Sequence, residues 1–303
     1  MRLVVVRSNL APNSIRMKKI GFVFMMLFCI SMGVSAQLLW KISGKGLTKP
    51  SYVFGTHHLV FAGQLPIYDA VVKQALLADV FLGEVNMQEP NMQQILMQHA
   101  QMDQNLNDLV SEEAYAMLVK TFQESVGVPL NQVSRMKPMM LMSLFLVLDQ
   151  MKQTGQSNLK SIDQLLQERA VQQKIPVYGL ETISEQAALL FDSMRLERQA
   201  ELLVRTLGDL PTMRNEQSAL LKAYLEGDLE ALSKMADVSQ SGMTPQEMKL
   251  LNDQRNRKWM QRIPEYMASG SCFIAVGSLH LTGEAGLLKQ LKQQGYRVEA
   301  AAL

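Results

Sequence analysis

The segment SYVFGTHH, residues 51–58, joins an apolar stretch of β-rich composition to a glycine, a hydroxyl residue and two histidines. The segment FIAVGSLH, residues 273–280, repeats this order near the other end of the chain. Aromatic and β-branched residues favour strands, and glycine allows the backbone to turn sharply where a strand ends. The two segments therefore predict two buried strands, each followed directly by a histidine in a Gly-x-x-His motif.

The first segment lies in a region that predicts strands alternating with a helix. Residues 38–42 and 51–54 are typical of a hairpin, because two glycines and a proline separate them. Residues 66–77 carry apolar residues at helical spacing, and residues 80–82 form a short apolar run. Strand, helix and strand in this order predict one crossover unit of a partly parallel sheet.

The long middle of the chain favours helices, because Leu, Met, Gln, Glu, Lys and Ala dominate it. One strand, at residues 176–180, interrupts them. Helices are expected over residues 92–100, 112–126, 139–152, 162–173, 184–207, 213–225, 229–236 and 245–268.

The last part of the chain returns to strand, helix and strand, at residues 273–276, 286–293 and 296–300. The sequence thus predicts the α/β class: a mixed central sheet flanked by helices. A large, mostly helical insertion at about residues 90–264 separates the N- and C-terminal sheet segments.

The N-terminus predicts export. A charged MKK stretch from Met17 precedes an apolar run over residues 20–34 that ends in the small residues VSA. This order is typical of a secretory signal peptide over residues 1–36. Residues 1–16 are interpreted either as an over-long start, with Met17 as the true start, or as an extended charged region of the signal. The apolar run is shorter than the roughly 20 residues of a bilayer-spanning helix, so an uncleaved anchor is the less favoured alternative. We expect residues 37–303 to form a single periplasmic or extracellular domain with no stable membrane span.

Charge and cysteine content narrow the classes of function. Removal of residues 1–36, with their five basic side chains, lowers the formal net charge from +2 to −3. This mixed surface charge gives no support to nucleic-acid binding. The remaining cysteine, Cys272, has no intramolecular partner, and its apolar neighbours predict that it is buried.

The chain has four histidines, and two of them occupy matching positions. His58 and His280 each follow a predicted strand, and Glu84 follows the strand at residues 80–82. Side chains just beyond the carboxyl ends of strands in an open α/β sheet face the ligand crevice. Imidazole nitrogens and a carboxylate are suitable ligands for a divalent metal that activates water. The alternative is that both histidines are hydrogen-bonded at strand ends without a metal.

These motifs, taken in order, resemble the TraB/PrgY/GumN family. The likeness covers almost all of the chain after residue 36. It rests on LWKI at 39–42, SYVFGTHH at 51–58, Ile162-Asp163, GLET at 179–182, Gln186, QRN at 254–256, FIAVGSLHL at 273–281, GLL at 286–288 and GYRV at 295–298.

The resemblance implies a fold like that of the erythromycin-esterase/ChaN group. It also implies an active site built from the two Gly-x-x-His motifs, a glutamate and an arginine, which are His58, His280, Glu84 and Arg255 here. The Tiki metalloproteases are animal relatives that favour manganese or cobalt. By this likeness we expect a metal-dependent hydrolase of peptides or proteins that uses divalent manganese, cobalt or zinc.

The expected roles follow from this resemblance. His58 and His280 hold the metal, and Glu84 completes the ligand set or takes a proton from the bound water. Arg255 stabilises a developing oxyanion or grips a substrate carboxylate.

Four further residues have open roles in the sequence. His57 is a residue that orients a metal ligand, an additional ligand, or a side chain that simply fills space at the strand end. Glu181 is another carboxylate of the site or a favourable charge at a helix N-terminus. Asp163 is interpreted as a helix cap, and His99 as solvated surface.

Two other functions are compatible with the sequence. The first is a non-catalytic exported protein that sequesters a peptide or haem in the same cleft. The second is a structural partner in an envelope assembly, with the helical insertion as the contact surface. Methionines at residues 139, 140 and 142 indicate an apolar core or an adaptable groove that could receive an extended peptide.

Overall fold

The sheet predicted from the sequence is present in the computed structural model, which describes residues 38–155, 160–238 and 242–302. The predicted signal peptide lies outside these residues. In the described part of the chain the sheet has six strands. They are β1 (Leu39–Ser43), β2 (Ser51–Thr56), β3 (Val80–Gly83), β4 (Val177–Gly179), β5 (Cys272–Gly277) and β6 (Arg297–Ala300).

The strand order, β4-β3-β5-β2-β1-β6, makes the sheet mixed. The predicted hairpin is confirmed, because β1 pairs antiparallel with β2, and β6 adds antiparallel to β1. Strands β2, β5, β3 and β4 run parallel to one another. The late strand β5 lies between β2 and β3, with Gly55 opposite Val276 and Thr56 opposite Gly277. The two Gly-x-x-His motifs therefore leave adjacent strands at the same edge.

Strand β5 lies at the centre of the hydrophobic core. Its residues from Cys272 to Val276 are at most 2 % exposed, as expected for a parallel strand covered on both faces. Phe273 packs against Phe54 and Phe81 of the neighbouring strands. Cys272 is a free, buried cysteine, as predicted.

Helices flank the sheet and form the insertion, so the predicted fold class is confirmed. They are α1 (Tyr68–Ala75), α2 (Met92–Ala100), α3 (Glu112–Val126), α4 (Pro138–Thr154), α5 (Ile162–Gln172), α6 (Ile183–Phe191), α7 (Leu196–Gly208), α8 (Leu210–Leu225), α9 (Leu229–Val238), α10 (Pro245–Leu251), α11 (Asp253–Ser269) and α12 (Leu287–Gln293).

Two long predicted helices are each divided in the structure. The helix expected over 184–207 stops at Phe191 and restarts at Leu196, because Gln199 on α7 donates hydrogen bonds to the carbonyls of Phe191 and Met194. These bonds satisfy carbonyls at the break that an uninterrupted helix would pair internally. The helix expected over 245–268 is broken at Asn252, whose φ of −113° and ψ of −59° depart from helical geometry.

The insertion has a hydrophobic cluster of its own beside the core around the sheet. Helices α3, α4 and α7 contribute Leu118, Phe122, Phe145 and Leu203 to it. The rings of Phe122 and Phe145 meet edge to face at 5.2 Å. Among the described residues, no helix has the length and apolar character needed to cross a bilayer.

Candidate functional site

The parallel strands bring the predicted site residues to one edge of the sheet. His58 follows β2, Glu84 follows β3, Glu181 follows β4 and His280 follows β5. Since these four strands are parallel, their carboxyl ends lie together. Helix α11 adds Arg255 from the side.

Arg255 joins two carboxylates in a buried ion-pair network. Its Nη2 donates to Oε2 of Glu84 and to Oε1 of Glu181, both at 2.5 Å. Its Nε donates to Glu181 at 2.9 Å. The guanidinium also lies over the ring of Trp259, 4.7 Å from the centroid. Such bidentate, stacked pairing fixes a guanidinium in one orientation.

The network keeps its members charged although they are buried. Burial alone would lower the pKa of Arg255, but the carboxylates of Glu84 and Glu181 raise it above its usual value. Burial would likewise raise the pKa of Glu84, but the positive charge of Arg255, together with that of His58, holds it well below its usual range. Glu84 is therefore ionised, and it accepts hydrogen bonds from the Gly277 N–H at 2.8 Å and from Gln186 Nε2 at 3.0 Å.

His280 is held in one neutral tautomer. Asn256 Nδ2 donates to the carbonyls of His280 and Ala285, so its Oδ1 faces Nδ1 of His280 at 2.8 Å and accepts the proton of that nitrogen. Nε2 then has a lone pair, and it accepts a hydrogen bond from Arg255 Nη1 at 3.0 Å. Burial lowers the pKa of His280 to about 4, which is consistent with a neutral ring.

His58 is oriented by Asp163, whose predicted role as a helix cap is wrong. Ser161 caps α5 by accepting the N–H of Gln164, which leaves the Asp163 side chain free to face the strand ends. Asp163 contacts His58 Nδ1 at 3.1 Å and accepts a hydrogen bond from Thr56 Oγ1 at 2.5 Å. The Asp163 carboxylate raises the pKa of His58 to about 9. The His58 side chain is 60 % exposed, so solvent reaches this part of the site.

The two histidines and Glu84 face a small space above Gly277. A Cβ placed on Gly277 would lie 3.3 Å from Glu84 Oε1, 3.5 Å from His280 Cδ2 and 3.9 Å from His58 Nε2. Nε2 of His280 and Oε1 of Glu84 are 3.8 Å apart. Glycine at this position therefore leaves room for a small group between the three side chains.

The chain was compared with models of known protein families, with curated proteins and with solved structures. The family model for the TraB/PrgY/gumN family matches residues 38–300. The chain belongs to the TraB/PrgY/gumN family. Comparisons with curated proteins and with solved structures gave no match. The matched range contains all six strands described above and every residue of the site.

The donors of this TraB/PrgY/gumN site are of types that divalent metals bind. Asp163 and Asn256 each engage the Nδ1 atom of a histidine, which leaves Nε2 as the nitrogen that would face an ion. At His58, whose pKa is raised to about 9, an ion would first have to displace the proton on Nε2. Within the described ranges, however, no three His, Cys, Asp or Glu side chains are already grouped closely enough to hold an ion. At His280, Nη1 of Arg255 occupies the lone pair of Nε2, so this nitrogen is not available to an ion in the present arrangement.

The other two histidines lie outside this group. His57 packs on the ring of Tyr224 at 5.3 Å, and its Nδ1 accepts the N–H of Leu59. Burial lowers its pKa to about 4. His99 is partly buried rather than fully solvated, because it contacts Asp192 and Ser184 through its two ring nitrogens.

Three residues that orient the site were not predicted as site residues. Asp163 binds His58, Asn256 binds His280, and Gln186 binds both Glu84 and Glu181. All three belong to the internal segments that carry the family resemblance. This resemblance was the one feature of the sequence that could have identified them as site residues. Glu181, by contrast, was considered from the sequence as a possible carboxylate of the site. In the structure it lies there and accepts a hydrogen bond from Arg255.

Proposed function

We propose that this TraB/PrgY/gumN family member is a metal-dependent hydrolase that acts on peptides or proteins. One observation carries the proposal: two histidines from equivalent motifs present Nε2 beside an ionised glutamate, each oriented through Nδ1 by a polar side chain. Histidines that bind catalytic metals have this arrangement. The resemblance to the Tiki metalloproteases also supports a peptidase.

In this proposal His58, His280 and Glu84 hold a divalent manganese, cobalt or zinc ion. When bound, such an ion supplies a water of lowered pKa and a positive charge next to the scissile carbonyl. Because Arg255 Nη1 contacts His280 Nε2 in the present arrangement, the guanidinium would have to withdraw from that nitrogen. The two carboxylates that hold Arg255 would keep it close to the reacting group.

The protein side chains then bind the substrate and move its protons. Glu84 is ionised, so it is suited either to complete the ligand set or to accept a proton. Arg255 stays charged and fixed by Glu181, so it is suited to stabilise an oxyanion or bind a substrate carboxylate. His58 is the exposed member of the site, so a substrate would reach the site past its side chain.

Hydrolysis of a peptide mixture tests the proposal. Residues 37–303 would be freed of metal, then supplied with manganese, cobalt or zinc, and products followed by mass spectrometry. We expect turnover only with added metal, and a loss of about 100-fold or more in Glu84→Gln. His99→Ala is the matched control, because it removes a histidine at a distance from the strand ends. Turnover that survives both a chelator and Glu84→Gln would contradict the proposal.

A second candidate is binding without chemistry, of a peptide or haem in the same cleft. The observation that favours it is Arg255, whose positive charge already pairs with Glu84 and contacts His280. Under this function, Glu84→Gln would keep ligand affinity, and incubation with metal would yield no hydrolysis product.

The proposed activity takes place outside the cytoplasm, because the sequence predicts a signal peptide over residues 1–36. Fractionation of cells that express the full chain tests this location. Full-length protein retained in the cytoplasmic fraction would contradict it.

A further inference from the structure

Arg255 uses two of its hydrogen bonds on atoms of the proposed metal ligands. Its Nη1 donates to Nε2 of His280 at 3.0 Å, and its Nη2 donates to Oε2 of Glu84 at 2.5 Å. The three side chains are at most 10 % exposed, so both contacts lie away from bulk water. Hydrogen bonds to a charged group are strong in such a place. A cation that binds Glu84 and His280 through these atoms therefore has to displace the guanidinium.

Other groups hold the same guanidinium from outside the proposed ligand set. Glu181 accepts hydrogen bonds from Nε at 2.9 and 3.2 Å and from Nη2 at 2.5 Å. The carbonyl of Leu251 lies 3.4 Å from Nη1, which gives this nitrogen a second acceptor besides His280. The fully buried ring of Trp259 lies against both the guanidinium, at 4.7 Å, and the His280 ring, at 4.5 Å. We call the Glu181 carboxylate and the Leu251 carbonyl the arginine seat.

This division of contacts allows Arg255 to leave the proposed ligands without losing its counter-charge. The bonds to Glu84 and His280 can break while those to Glu181 remain, so the guanidinium is not left as an unpaired buried charge. A guanidinium and a divalent cation repel each other at short range, which favours this separation once an ion is near. Nη1 then has the Leu251 carbonyl as its acceptor. The arginine seat thus keeps Arg255 paired whether or not it contacts Glu84.

We propose that Arg255 competes with the metal ion for Glu84 and His280, and that Glu181 is the positioning residue that holds Arg255 during this exchange. With no ion bound, Arg255 neutralises Glu84. When an ion binds, Arg255 releases both ligands and stays on the arginine seat. This inference rests on the proposed function, because it takes Glu84 and His280 to be metal ligands. It adds a competitor for the ion that is built into the site itself.

The metal affinity of a paired variant tests this competition without any measurement of hydrolysis. Residues 37–303, freed of metal, are titrated by calorimetry with manganese, cobalt and zinc chloride at pH 8, where Glu84 is ionised even when burial raises its pKa. Arg255→Met/Glu181→Gln removes the competitor together with the charge of its seat, so the net charge of the site is unchanged. We expect ion binding about tenfold or more tighter than in the parent, because two charge-assisted hydrogen bonds no longer have to break.

The matched control removes another ion pair that has a buried carboxylate. Arg214 on α8 binds Asp149 on α4 through two nitrogens, at 3.0 and 2.5 Å. Arg214→Met/Asp149→Asn makes the same change in charge as the test variant and should bind ions like the parent. Circular dichroism of each variant before titration confirms that the fold is kept.

Glu181→Gln distinguishes an arginine seat from a direct metal ligand. In the otherwise unchanged protein the seat loses its charge, so Arg255 stays on Glu84, and ion affinity should fall about tenfold or more. When Arg255 is already replaced by Met, the same change should weaken binding about threefold or less, because there is no guanidinium to position. An equal loss in both backgrounds would make Glu181 a ligand and overturn its role as the seat.

A measurement on the parent chain replaces this cycle if Arg255→Met alone does not fold. NMR follows the Nε–H group of Arg255, which is identified by its absence from Arg255→Met/Glu181→Gln. This group should stay protected from exchange with water when zinc is added, because its bonds to Glu181 persist. Loss of protection on binding zinc would show that Arg255 leaves the seat, which overturns that part of the inference.

The remaining outcomes separate the inference from the proposed function. Ion affinity in Arg255→Met/Glu181→Gln that is equal to or below that of the parent would overturn the competition and leave the proposed metal site intact. An equal gain in Arg214→Met/Asp149→Asn would also overturn it, because the effect would not be local to the site. Binding by Arg255→Met/Glu181→Gln alone would support the competition and remove the hydrolase, since the parent would then hold no ion. No binding by either protein would overturn both.

Discussion

At the scale of single residues, the site depends on side chains that orient other side chains. Asp163 and Asn256 each bind the Nδ1 atom of a histidine, and Gln186 links two carboxylates. Such partners hold rings and carboxylates in one orientation and set their basicity. The orientation of His58, His280 and Glu84 therefore depends on these three residues.

Asp163→Asn should lower the pKa of His58 from about 9 toward the usual 6.5, because the neutral amide no longer favours the imidazolium. A raised pKa in the folded protein stabilises it fully below about pH 6.5, and this contribution is lost as pH rises through about 9. The variant should therefore lose more stability relative to the parent at pH 6 than at pH 10. NMR titration of the metal-free protein and urea denaturation at both pH values measure this. An unchanged His58 pKa would show that Asp163 does not act on His58.

Gly277→Ala should remove activity while the protein stays folded. The backbone at Gly277, with φ −51° and ψ 136°, is allowed for alanine, but the methyl group would enter the space between Glu84, His280 and His58. We expect hydrolysis to fall about 100-fold or more, with a change in unfolding free energy of about 1 kcal/mol. Gly63→Ala is the control, because no atom lies within 4 Å of its added Cβ. Parent-like activity in Gly277→Ala would contradict the assigned geometry.

At the scale of secondary-structure elements, the site is assembled by parallel strand ends and three helices. Strands β2, β5, β3 and β4 supply the residues that follow them, while α5, α6 and α11 supply Asp163, Gln186 and Arg255. The start of α6 lies close to the site, because its N-cap residue, Thr182, directly follows Glu181. Thr182 caps α6 and forms a capping box with Glu185.

Thr182→Ala should reduce the unfolding free energy by about 1 kcal/mol, because the α6 N-terminus loses its cap. It should also reduce activity, since α6 carries Gln186 between Glu84 and Glu181. Ser111→Ala removes the cap of α3, which belongs to the hydrophobic cluster of the insertion, and is the matched control. Thermal denaturation and hydrolysis rates together measure the two effects. Equal loss of activity in both variants would assign the effect to global stability instead.

At the scale of the whole molecule, much of the fold could be predicted from local patterns. Residue propensity and periodicity predicted the hairpin, the single strand β4 within the helical insertion, and the bounds of α2 and α3. The position of β5 between β2 and β3 could not be predicted from local patterns, because strand order depends on pairing between distant segments. The break after Phe191 involves hydrogen bonds from Gln199 on the next helix, so the continuous helical composition of residues 184–207 did not predict it. The roles of Asp163 and Asn256 could not be predicted either, because each contacts a histidine that is far away in the sequence.

The central position of β5 predicts that Cys272 reacts slowly with thiol reagents. Burial raises its pKa to about 12, so the reactive thiolate is scarce at pH 8, and the side chain is inaccessible in the folded sheet. Residues 37–303, which have this single cysteine, should be labelled by iodoacetamide only when a denaturant opens the sheet. Mass spectrometry measures the extent of labelling. Rapid labelling of the native chain at pH 8 would contradict the central placement of β5.

The most direct test of the proposed metal site is the metal content of purified residues 37–303, measured by mass spectrometry of the elements after incubation with manganese, cobalt or zinc. His58→Ala/His280→Ala, confirmed as folded, and His99→Ala are measured beside it. The proposed site predicts close to one ion per chain in the parent and in His99→Ala, and a loss of that ion in the double variant. No bound ion in the parent with any of the three metals, or equal metal in the double variant, would contradict it.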